Sequence, residues 1–478
     1  MRDVLENLMD SAGRRAEYAD ARFVRTRSER LSTRNGVLDQ LDAHESEGIG
    51  VRVRLRGAWG FAAVHRADRR GAEEALGRAL AVAQAQPAAS GAELASEPPA
   101  RGRWESPVER DPFDVPVEEK LAVLVACDAG LRTDPGVSVT LAQFQALQVD
   151  RLFASTEGAL CEQRTTECGG SIAAVAVNGD ESQVRSFPAS HGGSVAQAGY
   201  EHFLRLNLAG AAPRVATEAA ALLQAPACPP GRTTLILAGE QLGLQIHESV
   251  GHALELDRVL GREVSYAGTS FVPLDGIGSM RLGSDVVNFT ADATSPGGLG
   301  TYRWDDEGVR GRREPLVQAG VLAGFLSSRE TASEIGLARS GGCMRADGFA
   351  RQPIVRMTNV NLEPGEAGSL DELVADTGEG LLIETNRSWS IDNRRLHFQF
   401  EGEAGWEVKD GERGRLVRNA SYAGRTQSFW ASCDAVCSAS DWALTSLLDC
   451  GKGEPGQVIR VSHGSAPARF REVEVGVA

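Results

Sequence analysis

The sequence predicts an α+β protein: N-terminal α/β domains followed by a mainly antiparallel β domain that carries a histidine-bearing helix. Three observations lead there. Helical and strand-like periodicities alternate through the first 225 residues. Beyond residue 230, short strand patterns and turns dominate. Glycine supplies 54 of the 478 residues, a stock of tight turns that suits a β-rich segment. A chain of this length also exceeds one compact core. It reads as an N-terminal α/β domain (1–85), a linker or strap (86–116), a central α/β domain (117–225) and a C-terminal β-rich domain (226–478).

In order along the chain, residues 4–16 have helical period and 18–26 alternate like a strand. Residues 31–41 run around the turn pair Asn35-Gly36, 48–55 alternate again, and the turn at Gly57 leads into another strand. Residues 72–85, rich in Ala, Leu and Glu, form a helix. Prolines 87, 98, 99, 107, 112 and 116 then interrupt any core-building pattern, hence the linker or surface strap. A helix resumes over 117–131, and alternating strands fill 137–186 with a hairpin turn at Asn178-Gly179-Asp180. Helical stretches near 195–208 and 215–224 follow, and Pro226, Pro229 and Pro230 close the segment. The last segment opens on a buried-strand pattern, 233–238, and passes directly into the helix with the histidines.

Formal net charge is -15 and the sequence pI is about 5.2, which argues against a nucleic-acid duplex or an anionic membrane as partner, since both call for a basic face. The N-terminus lacks the apolar run of a signal peptide, and the longest apolar stretches fall far short of a membrane span. Cytoplasmic residence is expected. Cysteines at 127, 161, 168, 228, 343, 433, 437 and 450 are too sparse for a disulfide framework, which fits a reducing compartment. Cys433 and Cys437 would share a face if helical, but read more simply as small packed residues.

The informative stretch is Gln245-Ile246-His247-Glu248-Ser249-Val250-Gly251-His252. Two histidines a helical turn apart, with a glutamate beside them, are an economical way to hold a metal and activate water. The familiar spacing is i,i+4; here it is i,i+5. On a regular helix five residues turn the chain about 500°, leaving the side chains roughly 140° apart. A π-type turn brings i and i+5 together, so the spacing predicts an irregular helix at 248–252, eased by Gly251. A catalytic zinc takes three protein ligands and keeps one position for water. Glu255 and Asp257 are near enough in sequence to be the third ligand, or to orient a histidine from behind. Cys450, in the glycine-rich loop Asp449-Cys450-Gly451-Lys452-Gly453, is the other candidate. Spacing does not choose among them.

The stretch His247-Glu248-Ser249-Val250-Gly251-His252-Ala253-Leu254-Glu255-Leu256-Asp257 resembles the signature of the TldD-type subunit of the TldD/PmbA family. Asp305-Asp306-Glu307-Gly308, Arg356-Met357-Thr358-Asn359, Cys450-Gly451-Lys452 with Gln457, and Trp59-Gly60-Phe61-Ala62 are similar to further family patterns in the same order. The resemblance implies a zinc metallopeptidase in which His247, His252 and Cys450 bind Zn2+ and Glu248 is the base. It also implies a dimer, either of this chain or with a homologous TldE/PmbA-type subunit, acting on unfolded or modified peptides. The sequence departs from the pattern at Gly453-Glu454-Pro455-Gly456-Gln457 and at Val461-Ser462-His463-Gly464-Ser465, which bears on substrate preference and partner contacts. His397 and His463 are candidate transition-state donors, though a solvent-facing position is the expectation for each. Two readings compete. Copper in an electron-transfer site, with Met344 or Met357 as axial ligand, would leave Glu248 without a task. A non-catalytic peptide-binding subunit would use the metal structurally.

Overall fold

A computed structural model describes residues 1–88 and 93–477. The N-terminal part runs α1 (Arg2–Ala12), β1 (Tyr18–Arg34), β2 (Val37–Leu55), β3 (Ala58–Val64) and α2 (Arg69–Ala85). Asn35 and Gly36, both at positive φ, make the turn between β1 and β2. Next come β4 (Arg101–Glu105), α3 (Val117–Leu131), β5 (Val137–Ser155), β6 (Leu160–Asn178), β7 (Glu181–Phe187), β8 (Ser194–Ala196), α4 (Tyr200–Arg205) and α5 (Leu208–Gln224). Their strands join one sheet of order β3-β2-β1-β5-β6-β4, with β7 and β8 also paired to β6. Strands from residues 18–64 and from 137–196 are therefore neighbours in a single sheet.

Two local expectations change. Within the proline-rich stretch, residues 101–105 contain no proline and pair in parallel with β6, so the strap is stitched to the sheet edge. Residues 89–92 of that stretch lie outside the described residues. The helix expected near 195–208 is shorter, because Ser194–Ala196 pairs with Cys168–Gly170 before the helix begins at Tyr200. Cys433 lies on the strand Cys433–Val436 and not on a helix; it and Cys437 are buried, free thiols.

The C-terminal part is built on a second sheet. β9 (Gly231–Leu237) lies parallel to the strand Gly380–Ile391 and antiparallel to Ala468–Val475. The path continues through Ala420–Arg425 to His397–Lys409, which pairs back with Gly380–Ile391, so five strands close on themselves. Phe398, Phe400, Tyr422, Phe429, Trp430 and Phe470 interlock in its core, the Phe429 and Phe470 rings stacked at 4.1 Å. This wide apolar cluster anchors α6 (Gly239–Ile246), which leaves β9 after the single residue Ala238. A two-stranded hairpin, Ala443–Lys452 with Gln457–Ser465, crosses beside α6. Among the described residues no helix is long and apolar enough to cross a membrane.

Asp305-Asp306-Glu307, singled out in the sequence, is a buried bolt between the N-terminal sheet and a loop region of the C-terminal part. Asp306 lies 3.5 Å from Arg22, and Glu307 lies 3.2 Å from Arg52, which also holds Asp20 at 2.6 Å. Buried charges of this kind are tolerated only when paired, so the motif fixes how the N-terminal sheet sits on the rest of the molecule.

Candidate metal centre

α6 is buried all round, which an isolated polar residue would not survive. Hydrogen bonds tie its glutamines, and Ser249 just beyond them, to the core beneath. Gln241 donates to the Tyr422 hydroxyl at 3.1 Å, that hydroxyl donates to Gln245 at 3.0 Å, and Trp430 donates to Ser249 at 2.9 Å. Residues 241, 245 and 249 are successive i,i+4 positions, so one face of the helix is tied down along its length.

At His247 the helix widens into a π-helical turn, His247–Gly251. The His252 N–H reaches back to the His247 carbonyl, an i+5→i bond. The distortion predicted from the histidine spacing is present, and it puts the two imidazoles 4.7 Å apart between centroids. Gly251 has an additional role in packing. A Cβ there would come within 2.3 Å of the Met357 sulfur, so only glycine lets Met357 close over the widened turn.

The hairpin brings Cys450 to the same point. Donor atoms of His247, His252 and Cys450 all lie within 4.8 Å of one another, and all three residues are buried. Cys450 Sγ stands 3.7 Å from His252 Nε2. Tetrahedral zinc with usual bond lengths would separate such a pair by roughly 3.6 Å. Burial would raise the Cys450 thiol, but the charge of Arg356 beside it helps hold it below its ordinary value. Arg356 Nη2 donates to the sulfur at 3.1 Å, a built-in counter-charge for a thiolate. The residues present fit a borderline-soft divalent metal such as zinc.

Each imidazole is oriented from behind. His463 Nδ1 lies 2.8 Å from the Val360 carbonyl, which only accepts, so Nδ1 carries the proton and Nε2 is bare. His247 Nδ1, 2.8 Å from that bare nitrogen, must be the donor, which leaves its own Nε2 lone pair free. His252 Nδ1 donates to Glu255 Oε2 at 2.8 Å, freeing its Nε2 in the same way. Burial pushes His247 down to about 4 and drives His252 and His463 well below the ordinary histidine value, so all three are neutral near pH 7, as metal ligation requires. Lys452, fully buried, lies 3.4 Å from Glu255, 2.7 Å from Asp257 and 3.1 Å from Glu263. Glu255 thus orients a histidine directly, while Asp257 acts one step further out, through Lys452.

His463 corrects the sequence reading, which had it facing solvent. It is fully buried, because the hairpin strand that bears it packs against α6 and the strand Asn359–Leu362. His397, in contrast, is exposed as expected. Replacing His463 by Leu removes the acceptor that fixes the His247 tautomer. Metal affinity should fall about 10–100-fold, measured by competition with a chromophoric chelator. Affinity equal to wild type would remove His463 from the orienting chain.

A pocket of about 240 Å³ opens onto the cluster. It is lined by His247, Glu248 and His252, by Trp389 on the strand Gly380–Ile391 and Arg395 in the turn that joins it to His397–Lys409, and by consecutive residues 445–449. Both oxygens of Glu248 are engaged. Trp389 Nε1 donates to one at 3.0 Å and Arg395 Nη1 to the other. Sequence reading missed Trp389 and Arg395; the only signal was an Arg-Arg pair in a tight turn three residues after an aromatic strand.

Three family models match the chain in order: PmbA/TldA metallopeptidase domain 1 over residues 19–83, the central domain over 110–225 and the C-terminal domain over 230–477. A metalloprotease of Methanothermobacter thermautotrophicus is 32% identical over 474 residues, covering 99% of this chain and 98% of that one. A zinc metalloprotease TldD homolog of Saccharolobus solfataricus is 27% identical over 247 residues, 52% of each chain. In structure the fold matches TldE from Thermococcus kodakarensis with a TM-score of 0.74 at 15% identity, covering 99% of both chains.

Proposed function

The chain belongs to the PmbA/TldA metallopeptidase family, and from that membership we propose that it is a zinc-dependent peptidase of the HExxxH type, with His247, His252 and Cys450 as ligands and Glu248 as base. The observation that carries the reading is the convergence of those three donor atoms within 4.8 Å, with Glu248 in the same pocket. Bound there, zinc would lower the pKa of a water and polarise the scissile carbonyl.

The chain's own groups supply the proton traffic. Glu248 takes a proton from water as the water oxygen bonds to the carbonyl carbon. As the C–N bond breaks, Glu248 returns that proton to the leaving nitrogen, giving an amine and a carboxylic acid, which then loses its proton to solvent. Thr445, Ser446, Leu447, Leu448 and Asp449 line the pocket as one stretch of strand, and among the described residues that strand pairs only with Gln457–Ser465. Such an edge suits an extended, unfolded or modified peptide held by main-chain hydrogen bonds. The remainder of the reading is a cytoplasmic enzyme that works as a dimer, with itself or with a TldE/PmbA-type subunit.

The test is cleavage of an unstructured polypeptide, followed by mass spectrometry, before and after chelation. New termini should appear, vanish with chelator and return with added zinc. Cleavage indifferent to chelator, or no cleavage by the zinc-loaded protein with its partner present, would contradict the proposal.

A further inference from the structure

We propose that Arg395 is the donor that stabilises negative charge on the substrate's carbonyl oxygen during peptide-bond cleavage; this rests on the peptidase reading above. An oxyanion forming in a water-poor pocket needs a positive or strongly donating group within hydrogen-bond reach. The sequence offered His463 and His397 for that task. The structure removes both, since His463 is buried behind His247 and His397 is exposed. Among the residues lining the pocket, Arg395 is the one arginine or lysine. Of the other lining donors, Trp389 is taken by Glu248 and His191 is engaged with Asn386 at 3.2 Å.

The backbone holding Arg395 is fixed. Asp392 accepts from the N–H groups of Arg394, Leu396 and His397 at 2.9, 2.9 and 3.1 Å. Thr426 clamps the loop from outside, its hydroxyl on the Arg395 carbonyl and its N–H on the Leu396 carbonyl, both at 2.8 Å. Arg395 itself sits at φ 62°, a conformation the turn imposes. A loop pinned this firmly aims a side chain.

The guanidinium is only partly used. Nη1 holds Glu248, while Nε is buried with no partner among the described residues. An arginine presents five donors in a rigid fork, so it can keep one on Glu248 and offer another to a substrate oxygen. The charge bookkeeping favours that arrangement. When Glu248 takes the water proton it becomes neutral, and the negative charge moves to the carbonyl oxygen a few ångströms away. Arg395 holds Glu248 and lines the same pocket, so a substrate oxygen bound there would keep its charge matched before and after transfer without a large movement.

The experiment compares wild type, Arg395→Asn and Arg395→Lys, each with its metal content measured. Asparagine suits the positive φ, so the backbone is kept. Arg395→Asn should lose about 100-fold or more in kcat with KM little changed, and Arg395→Lys should recover part of it. A phosphinic peptide, which mimics the tetrahedral state, should bind Arg395→Asn weaker by a similar factor, whereas the product peptide binds as before. Unchanged or increased kcat in Arg395→Asn would overturn the proposal, an increase showing that Arg395 merely blocks Glu248. Equal weakening for product and phosphinic peptides would overturn it too, as general binding. If wild type neither cleaves peptide nor binds the phosphinic peptide, the peptidase reading itself fails and this inference falls with it.

Discussion

Glu248→Ala should retain its metal and lose at least about two orders of magnitude in turnover on an unfolded peptide. The separation of the two effects is the point. Glu248 neighbours His247 in sequence, yet its carboxylate faces the pocket, held by Trp389 and Arg395 and not by the ligand cluster. The residues that orient the imidazoles are others: His463 for His247 and Glu255 for His252. Removing the Glu248 carboxylate therefore takes away the proton acceptor and leaves the donor set as it was. Arg395 loses its counter-charge in the same variant, but it is 16% exposed and can turn toward water. Metal analysis and kcat on one preparation check both halves. Full activity would remove Glu248 from the mechanism, and loss of metal along with activity would make it structural.

How legible this centre was depended on whether the geometry was local. The π turn could be read from the five-residue spacing of His247 and His252, because helical periodicity converts a sequence distance directly into an angle. Glu255 was legible for a related reason, lying three residues beyond His252 within one turn. Nothing local chose Cys450 over Glu255 and Asp257 as third ligand, or brought His463 to the helix. Cys450 and His463 each reach the helix through the pairing of Ala443–Lys452 with Gln457–Ser465 and the docking of that hairpin on α6, roughly two hundred residues later. Family resemblance selected Cys450 from the open candidates, and His463 was placed wrongly because a histidine amid glycine and serine looks like a surface loop. In the fold, β9 running into α6 was visible as an apolar strand followed by helical period. The closure of the second sheet was not, since Gly380–Ile391 finds β9 on one side and His397–Lys409 on the other through long-range pairing.

Cys450→Ser carries the other large effect. The thiolate is the charged member of the donor set, and Arg356 is placed to hold it ionised. A serine hydroxyl is a far poorer ligand for a borderline-soft ion, and it does not ionise near neutrality. Changes to orienting groups cost 10–100-fold in metal affinity, so loss of a direct ligand should exceed about 100-fold. Arg356 still finds the carbonyl of residue 450, so the hairpin should stay folded and the loss should be confined to the site.

X-ray absorption at the zinc edge, on wild type and Cys450→Ser prepared side by side, tests the centre most directly. Wild type should show about one zinc per chain, with one sulfur near 2.3 Å and nitrogen or oxygen neighbours near 2.0 Å. One of those light neighbours should exchange with solvent. Cys450→Ser should lose the sulfur shell along with most of the zinc. A wild-type site without sulfur, or one filled by four protein ligands with no exchangeable position, would contradict a catalytic zinc held by His247, His252 and Cys450.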